Sequence, residues 1–144
     1  MKISKICSYF VLVLLFSVSV TSCSKDKDEE ASVVGKWETT YEGDIIDGKE
    51  VLTPVGTNGS CPNNYMELLK DGTSISVEYD SKCKSYTENG TWSKNGNIIT
   101  GKNVNDSVGN DAEILILDNT TLKIKEIISI NGKTEIWITV FKKI

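Results

Sequence analysis

From Val33 onward, apolar and polar residues alternate with a period of two, and Asx-Gly dipeptides interrupt the alternation at intervals. A period of two sends successive side chains to opposite faces, so each segment reads as a half-buried strand. In Gly35-Lys36-Trp37-Glu38-Thr39-Thr40-Tyr41, Trp37 and Tyr41 share one face, while Lys36, Glu38 and Thr40 take the other. Ser74-Ile75-Ser76-Val77-Glu78-Tyr79 places Ile75, Val77 and Tyr79 together, expected inward. Tyr86, Gly90 and Trp92 stand opposite Thr87, Asn89, Thr91 and Ser93; Leu122, Ile124, Ile128 and Ile130 form a further stripe, with Lys123 and Lys125 turned away. Asp47-Gly48, Asp71-Gly72, Asn95-Gly96 and Asn131-Gly132 accept the positive φ that tight hairpins need. Asp118-Asn119-Thr120 supplies one more turn. No segment has a helical period with caps, although residues 62–69 have room for a helical turn. The expected fold is all-β: about eight antiparallel strands in sequential hairpins. An up-and-down meander of this kind avoids exposed edges by closing into a barrel, with a sandwich as the alternative.

The first 32 residues do not follow this pattern. Lys2 and Lys5 precede an apolar run over residues 9–16, and small residues then lead to Val20-Thr21-Ser22-Cys23. A basic start, a short apolar run and small residues before a cut describe a secretory signal peptide. The run is far short of the ~20 residues that span a bilayer. Cys23 after Val-Thr-Ser resembles a bacterial lipobox, which implies cleavage before Cys23 and a lipid on its thiol. Lys25-Asp26-Lys27-Asp28-Glu29-Glu30 offers nothing to bury and reads as a solvated tether. Acidic residues just after a lipidated cysteine also resemble the surface-export signal of Bacteroidetes-type lipoproteins. The expected organisation is a signal peptide over residues 1–22, a lipidated tether over 23–32 and one domain over 33–144. The expected location is the outer membrane or cell surface.

Processing reduces the four cysteines to two, since Cys7 leaves with the signal peptide and Cys23 takes the lipid. Cys61 and Cys83 are then expected to form a disulfide in an oxidising compartment. A two-cysteine metal site is the alternative, but the chain has no histidine and no third cysteine nearby. The precursor carries 16 lysines, no arginine and 20 acidic residues; losing Lys2 and Lys5 leaves 14 against 20, a net charge of −6. An acidic chain without arginine has no electrostatic footprint for nucleic acid.

Val34-Gly35-Lys36-Trp37 resembles the Gly-x-Trp opening of lipocalins. Together with the Cys61 and Cys83 pair bracketing Leu68-Leu69-Lys70-Asp71-Gly72-Thr73, Gly90-Thr91-Trp92, and Leu117-Asp118-Asn119-Thr120-Thr121-Leu122, it is similar to the small lipocalin-like domains of Bacteroidetes-type lipoproteins. The resemblance runs over residues 33–143 and implies a lipocalin-like barrel. Larger lipocalins set an arginine against the opening tryptophan; here only Lys142 or Lys143 is available, through its stem.

An eight-stranded barrel is just wide enough to be filled by side chains or to hold one small ligand. Trp37, Tyr41, Tyr79, Tyr86 and Trp92 are the candidate ligand-binding residues, an aromatic lining with polar tips suited to a partly apolar molecule. The competing reading makes these aromatics plain core. In the last strand Ile136, Ile138 and Val140 lie on one face and Trp137 and Phe141 on the other, so something is expected to cover the outside. Residues 44–54 or an envelope protein partner would do so.

Without histidine, Ser-His and Cys-His nucleophiles are excluded, and no catalytic residues or cofactors are assigned. Glu67, Glu78, Glu88 and Glu113 read as solvated strand faces, since nothing brings two together for glycoside chemistry. The oxygen-rich stretch 103–111 misses the EF-hand register and reads as a loop. Asn58-Gly59-Ser60, Asn89-Gly90-Thr91, Asn105-Asp106-Ser107 and Asn119-Thr120-Thr121 match the N-glycosylation sequon but read as turn chemistry. Asp106-Ser107-Val108 resembles a short O-glycosylation signal of Bacteroidetes. Two functional classes follow: a non-enzymatic binder of a small apolar or amphiphilic ligand, or a protein-interaction module with a filled barrel.

Overall fold

The computed structural model describes residues 31–56, 61–130 and 132–144. The expected signal segment, Cys23, the charged run 25–30, Asn58-Gly59-Ser60 and Asn131 lie outside the described residues. Ala31–Ile144 forms one compact unit that contains the entire core cluster. Among the described residues no helix is long and apolar enough to cross a membrane.

Among the described residues, nine antiparallel strands make one sheet: β1 Gly35–Ile46, β2 Lys49–Pro54, β3 Tyr65–Leu68, β4 Thr73–Tyr79, β5 Ser85–Asn95, β6 Ile98–Asn103, β7 Asn110–Leu117, β8 Thr121–Ile130 and β9 Lys133–Lys143. The strand order is β2-β1-β3-β4-β5-β6-β7-β8-β9, and β1 also pairs with β9. The β1–β9 ladder closes β1 and β3 to β9 into an eight-stranded barrel, with β2 as one extra strand. Residues 62–69, which had room for a helical turn, instead supply β3. It is held by Tyr65 opposite Glu38 and Leu68 opposite Gly35.

Hairpin chemistry fits the turns. Asp47 and Gly48 both hold positive φ, 51° and 75°, as a two-residue turn with both central residues left-handed requires. At the β7–β8 turn, the Asp118 carboxylate accepts hydrogen bonds from the amides of Thr120 and Thr121 and from the Thr120 hydroxyl.

Residues directly opposite one another in a ladder share a face. Met66 stands opposite Ser76, Leu68 opposite Ser74, and Ser74 opposite Gly90. Since Met66, Leu68 and Trp92 face the interior, so do Ser74 and Ser76. Ile75, Val77 and Tyr79 therefore lie on the outer face, a correction to the expected inward set. Alternation shows which residues share a face but not which face is inside. Val77 is nonetheless buried, opposite Tyr65 on β3.

A second correction concerns β1. The β1–β9 register shifts between Thr39 and Tyr41. This bulge adds one residue and reverses the alternation, so Thr39 faces inward with Phe141 while Tyr41 turns outward with Val140. Trp37 and Tyr41 do not share a face.

The core fills one end of the barrel. Trp37, Leu122 and Ile138 are fully buried, and Trp37 packs with Val33, Leu68, Leu122 and Phe141. The Trp37 Nε1–H donates to the Val33 carbonyl at 2.7 Å, and Lys143 Nζ lies 5.0 Å from the Trp37 ring centre. Lys143 is thus the lysine of the expected pair, Lys142 or Lys143, that reaches the opening tryptophan. Ile138 is buried on the outer face, where Lys123 of β8 forms an ion pair with Glu50 of β2. Those strands are three sheet spacings apart, roughly 14 Å in a flat sheet. The contact therefore requires the β1–β2 hairpin to fold over the outside of β9, as expected of residues 44–54.

Candidate functional site

Toward the opposite end the interior is not filled. Residues shrink there: Ser74 and Ser76 on β4, Gly101 on β6 and Ala112 on β7 all face inward. The space they leave is a half-open cavity of about 210 Å³. Its floor is apolar, formed by Met66, Leu68, Trp92, Ile99, Leu122 and Ile124. Its upper wall is polar, formed by Ser76, Lys102, Asn103, Asp106, Asn110 and Glu126. The Trp92 Nε1–H is already satisfied, donating to the Leu69 carbonyl at 2.9 Å, so the indole presents mainly its apolar surface.

Of the five aromatics singled out in the sequence, only Trp92 lines this cavity. Trp37 lies deeper, sealed in the closed end. Tyr41 is 43% exposed on the outer face because of the β1 bulge. Tyr79 is also outside; its amide donates to Asn64 Oδ1 at 2.8 Å. Tyr86 is 50% exposed at the β4–β5 turn, where its hydroxyl meets Asp80 and Lys84 lies over its ring. These residues do not converge.

Glu126 is the inward residue that sequence reasoning passed over. It stands opposite Ala112 on β7 and Trp137 on β9 and lines the cavity between them. Burial alone raises its carboxyl above the usual value of 4.5, because a desolvated site disfavours the charged form. The signal was present: Glu126 occupies an inward position in the stripe Leu122, Ile124, Ile128. A charge on an apolar stripe either escapes at the rim or is held there for a purpose.

Cys61 and Cys83 form a disulfide with Cα atoms 5.0 Å apart. It ties the segment before β3 to the β4–β5 turn, at the open end of the barrel. There the Asp80 carboxylate accepts from the amides of Lys82 and Lys84. Among the described residues no group of three potential metal ligands is assembled, and the oxygen-rich stretch 103–111 forms the β6–β7 connection. Glu113 is ion-paired with Lys125.

A closed eight-stranded meander with a tryptophan sealing one end and a cavity at the other defines a lipocalin-like barrel. The sequence family described as lipocalin-like domain matches residues 33–124, more than half of the chain, and the chain belongs to that family. Its fold is similar to a lipocalin-like protein from Bacteroides uniformis, with a TM-score of 0.56 and 15% identity, covering 77% of this chain and 97% of that one. It is equally similar to an uncharacterized protein from Bacteroides eggerthii, with a TM-score of 0.56 and 13% identity, covering 78% of this chain and 100% of that one. At such identities the likeness is one of fold. No curated protein matches the chain.

Proposed function

We propose that this protein is a lipid-anchored lipoprotein of the cell envelope, attached through Cys23, that binds a small amphiphilic ligand in the mouth of its barrel without chemical conversion. The observation that carries the binding reading is the cavity itself, with an apolar floor at Trp92, Ile99 and Leu122 and a polar wall at Asn103, Asn110 and Glu126. An apolar pocket with a few convergent polar groups is the usual form of a small-molecule site. Its volume lies below the common range of ~300–1,000 Å³, so the ligand is short. The filled-barrel alternative loses support, since a packed interior would leave no such space.

Anchoring is supported by the basic start, short apolar run and Val-Thr-Ser-Cys of the first 23 residues, and placement at the outer membrane or cell surface by the charged tether that follows. Native mass spectrometry of the Ala31–Ile144 unit after incubation with envelope extract tests the binding function. A bound small molecule, released on denaturation, is the expected result; its absence together with unchanged tryptophan fluorescence would refute it. For the anchor, Cys23→Ala is expected to move the protein from the membrane fraction to the soluble one.

A further inference from the structure

Three charged residues border the cavity: Lys102, Asp106 and Glu126. Their sum is one negative charge, in a chain that is acidic overall. Among the described residues the Glu126 side chain has no hydrogen-bond or ion-pair partner, whereas Glu50 and Glu113 on the outer surface are both paired with lysines. Leaving an inward carboxylate unpaired in a partly desolvated site costs stability, and a barrel with no use for it would carry an apolar residue there.

From Leu122 on the sealed floor to Glu126 is four residues of strand, roughly 13 Å at 3.3 Å per residue. The apolar part of a ligand fits along that length, against Ile124 and Trp92. Its polar end then arrives at Glu126. We propose that the ligands of this barrel are short amphiphiles with a cationic head, a primary ammonium group, and that the Glu126 carboxylate is its partner. This rests on the binding function proposed above. An ammonium head supplies the charge-assisted hydrogen bonds that Glu126 lacks. A carboxylate head would meet Asp106 and Glu126 with only Lys102 to offset them. Asp111, Glu113 and Lys125 also lie near Glu126 at the notch between β7 and β8, with Glu113 and Lys125 joined to each other. The neighbourhood beyond the cavity therefore adds no net positive charge.

The test uses three ligands that share a tail and differ at the head: octylamine, octanol and octanoate, titrated calorimetrically into the Ala31–Ile144 unit at neutral pH. Octylamine is expected to bind about tenfold more tightly than octanol, the value of one charge-assisted contact. Octanoate is expected to be the weakest. Glu126→Gln should erase the amine preference, read as the ratio of octylamine to octanol affinity. Glu126→Leu should do the same, and a circular dichroism spectrum unchanged in both variants separates loss of the carboxylate from loss of the fold. If octanol binds and octylamine binds no better, or if the amine preference survives both substitutions, the head-group assignment is overturned while the binding function stands. If none of the three binds, the binding function falls and the assignment with it.

Discussion

Filling the cavity from Gly101 separates a binding barrel from a structural one. Gly101 stands opposite Trp92 on β5 and Asn110 on β7 and lines the cavity floor. A Cβ built on it meets no atom within 4 Å, and its backbone is not left-handed, so a larger residue fits without strain. Gly101→Leu sends four carbons into the open space. Burying a leucine side chain is worth about 1.5–3 kcal/mol, and removing a strand glycine adds about 0.5–1 kcal/mol. Because the cavity is half open, a net gain of about 1–3 kcal/mol is the sounder expectation. For a unit of this size each kcal/mol moves Tm by roughly 4 °C, so thermal melts followed by circular dichroism should rise by about 4–12 °C. Octanol binding, read from calorimetry and from Trp92 fluorescence against a Trp92→Phe control, should fall at least tenfold, the loss of about 1.4 kcal/mol or more. A variant that is stabilised yet binds as the parent does would place the ligand elsewhere. A variant that unfolds would show that the space around Gly101 is already occupied.

Gly90, one strand away, should respond in the opposite sense. A Cβ there would lie 2.5 Å from the Lys102 carbonyl oxygen and 2.9 Å from Ser74 Oγ, so Gly90→Ala should cost about 1–3 kcal/mol in urea denaturation. The Cys61–Cys83 bond closes a loop of sequence separation 22. Its replacement by serines should cost about 3 kcal/mol in the chain-entropy model, seen as a lower urea midpoint that reductant no longer shifts. Trp37→Ala removes the plug of the closed end and should cost about 3–5 kcal/mol, leaving little cooperative melting. The Asp71, Asp80 and Asp118 carboxyls are all held below the usual 3.8, Asp71 first by the Thr73 hydroxyl, Asp80 by the Lys84 amide and Asp118 by the Thr120 amide. A lowered folded value gives stability that is present above 3.8 and lost as the pH falls through the folded value. Melts should therefore weaken below about pH 4, and replacing all three by asparagine should flatten that decline. Glu126 acts in the other direction: its raised value gives stability that is present below 4.5 and lost as the pH rises through the folded value.

Individual residues show how far local pattern reached. The strands from Trp37 to Phe141 and the turns at Asp47-Gly48 and Asp118-Asn119-Thr120 were legible because period and turn chemistry are local. The Cys61–Cys83 bond was legible because the other two cysteines had another fate to be assigned. The cavity was not legible. The space is left by small residues, Ser74, Ser76, Gly101 and Ala112, which carry no apolar period of their own. Three of the candidate aromatics, Tyr41, Tyr79 and Tyr86, proved to lie on the outer surface or beyond the rim. One residue of bulge at Thr40 was enough to turn Tyr41 outward, since a shift of one reverses every later side chain.

By itself, the amino-acid sequence determined an all-β meander, its hairpin positions, its opening tryptophan and the Cys61–Cys83 disulfide. Each of these depends on residues close in the chain or on a count. Only the tertiary structure decided which face of each strand is inside, because β4 turns its serine face to the cavity and its apolar face outward, while both faces of β9 are apolar, so closure alone selects between them. It also decided that β2 folds over β9, and that Glu126 meets Ser76 and Asn103 around one cavity. Those residues lie far apart in sequence, and it is barrel closure through the β1–β9 ladder that brings them together.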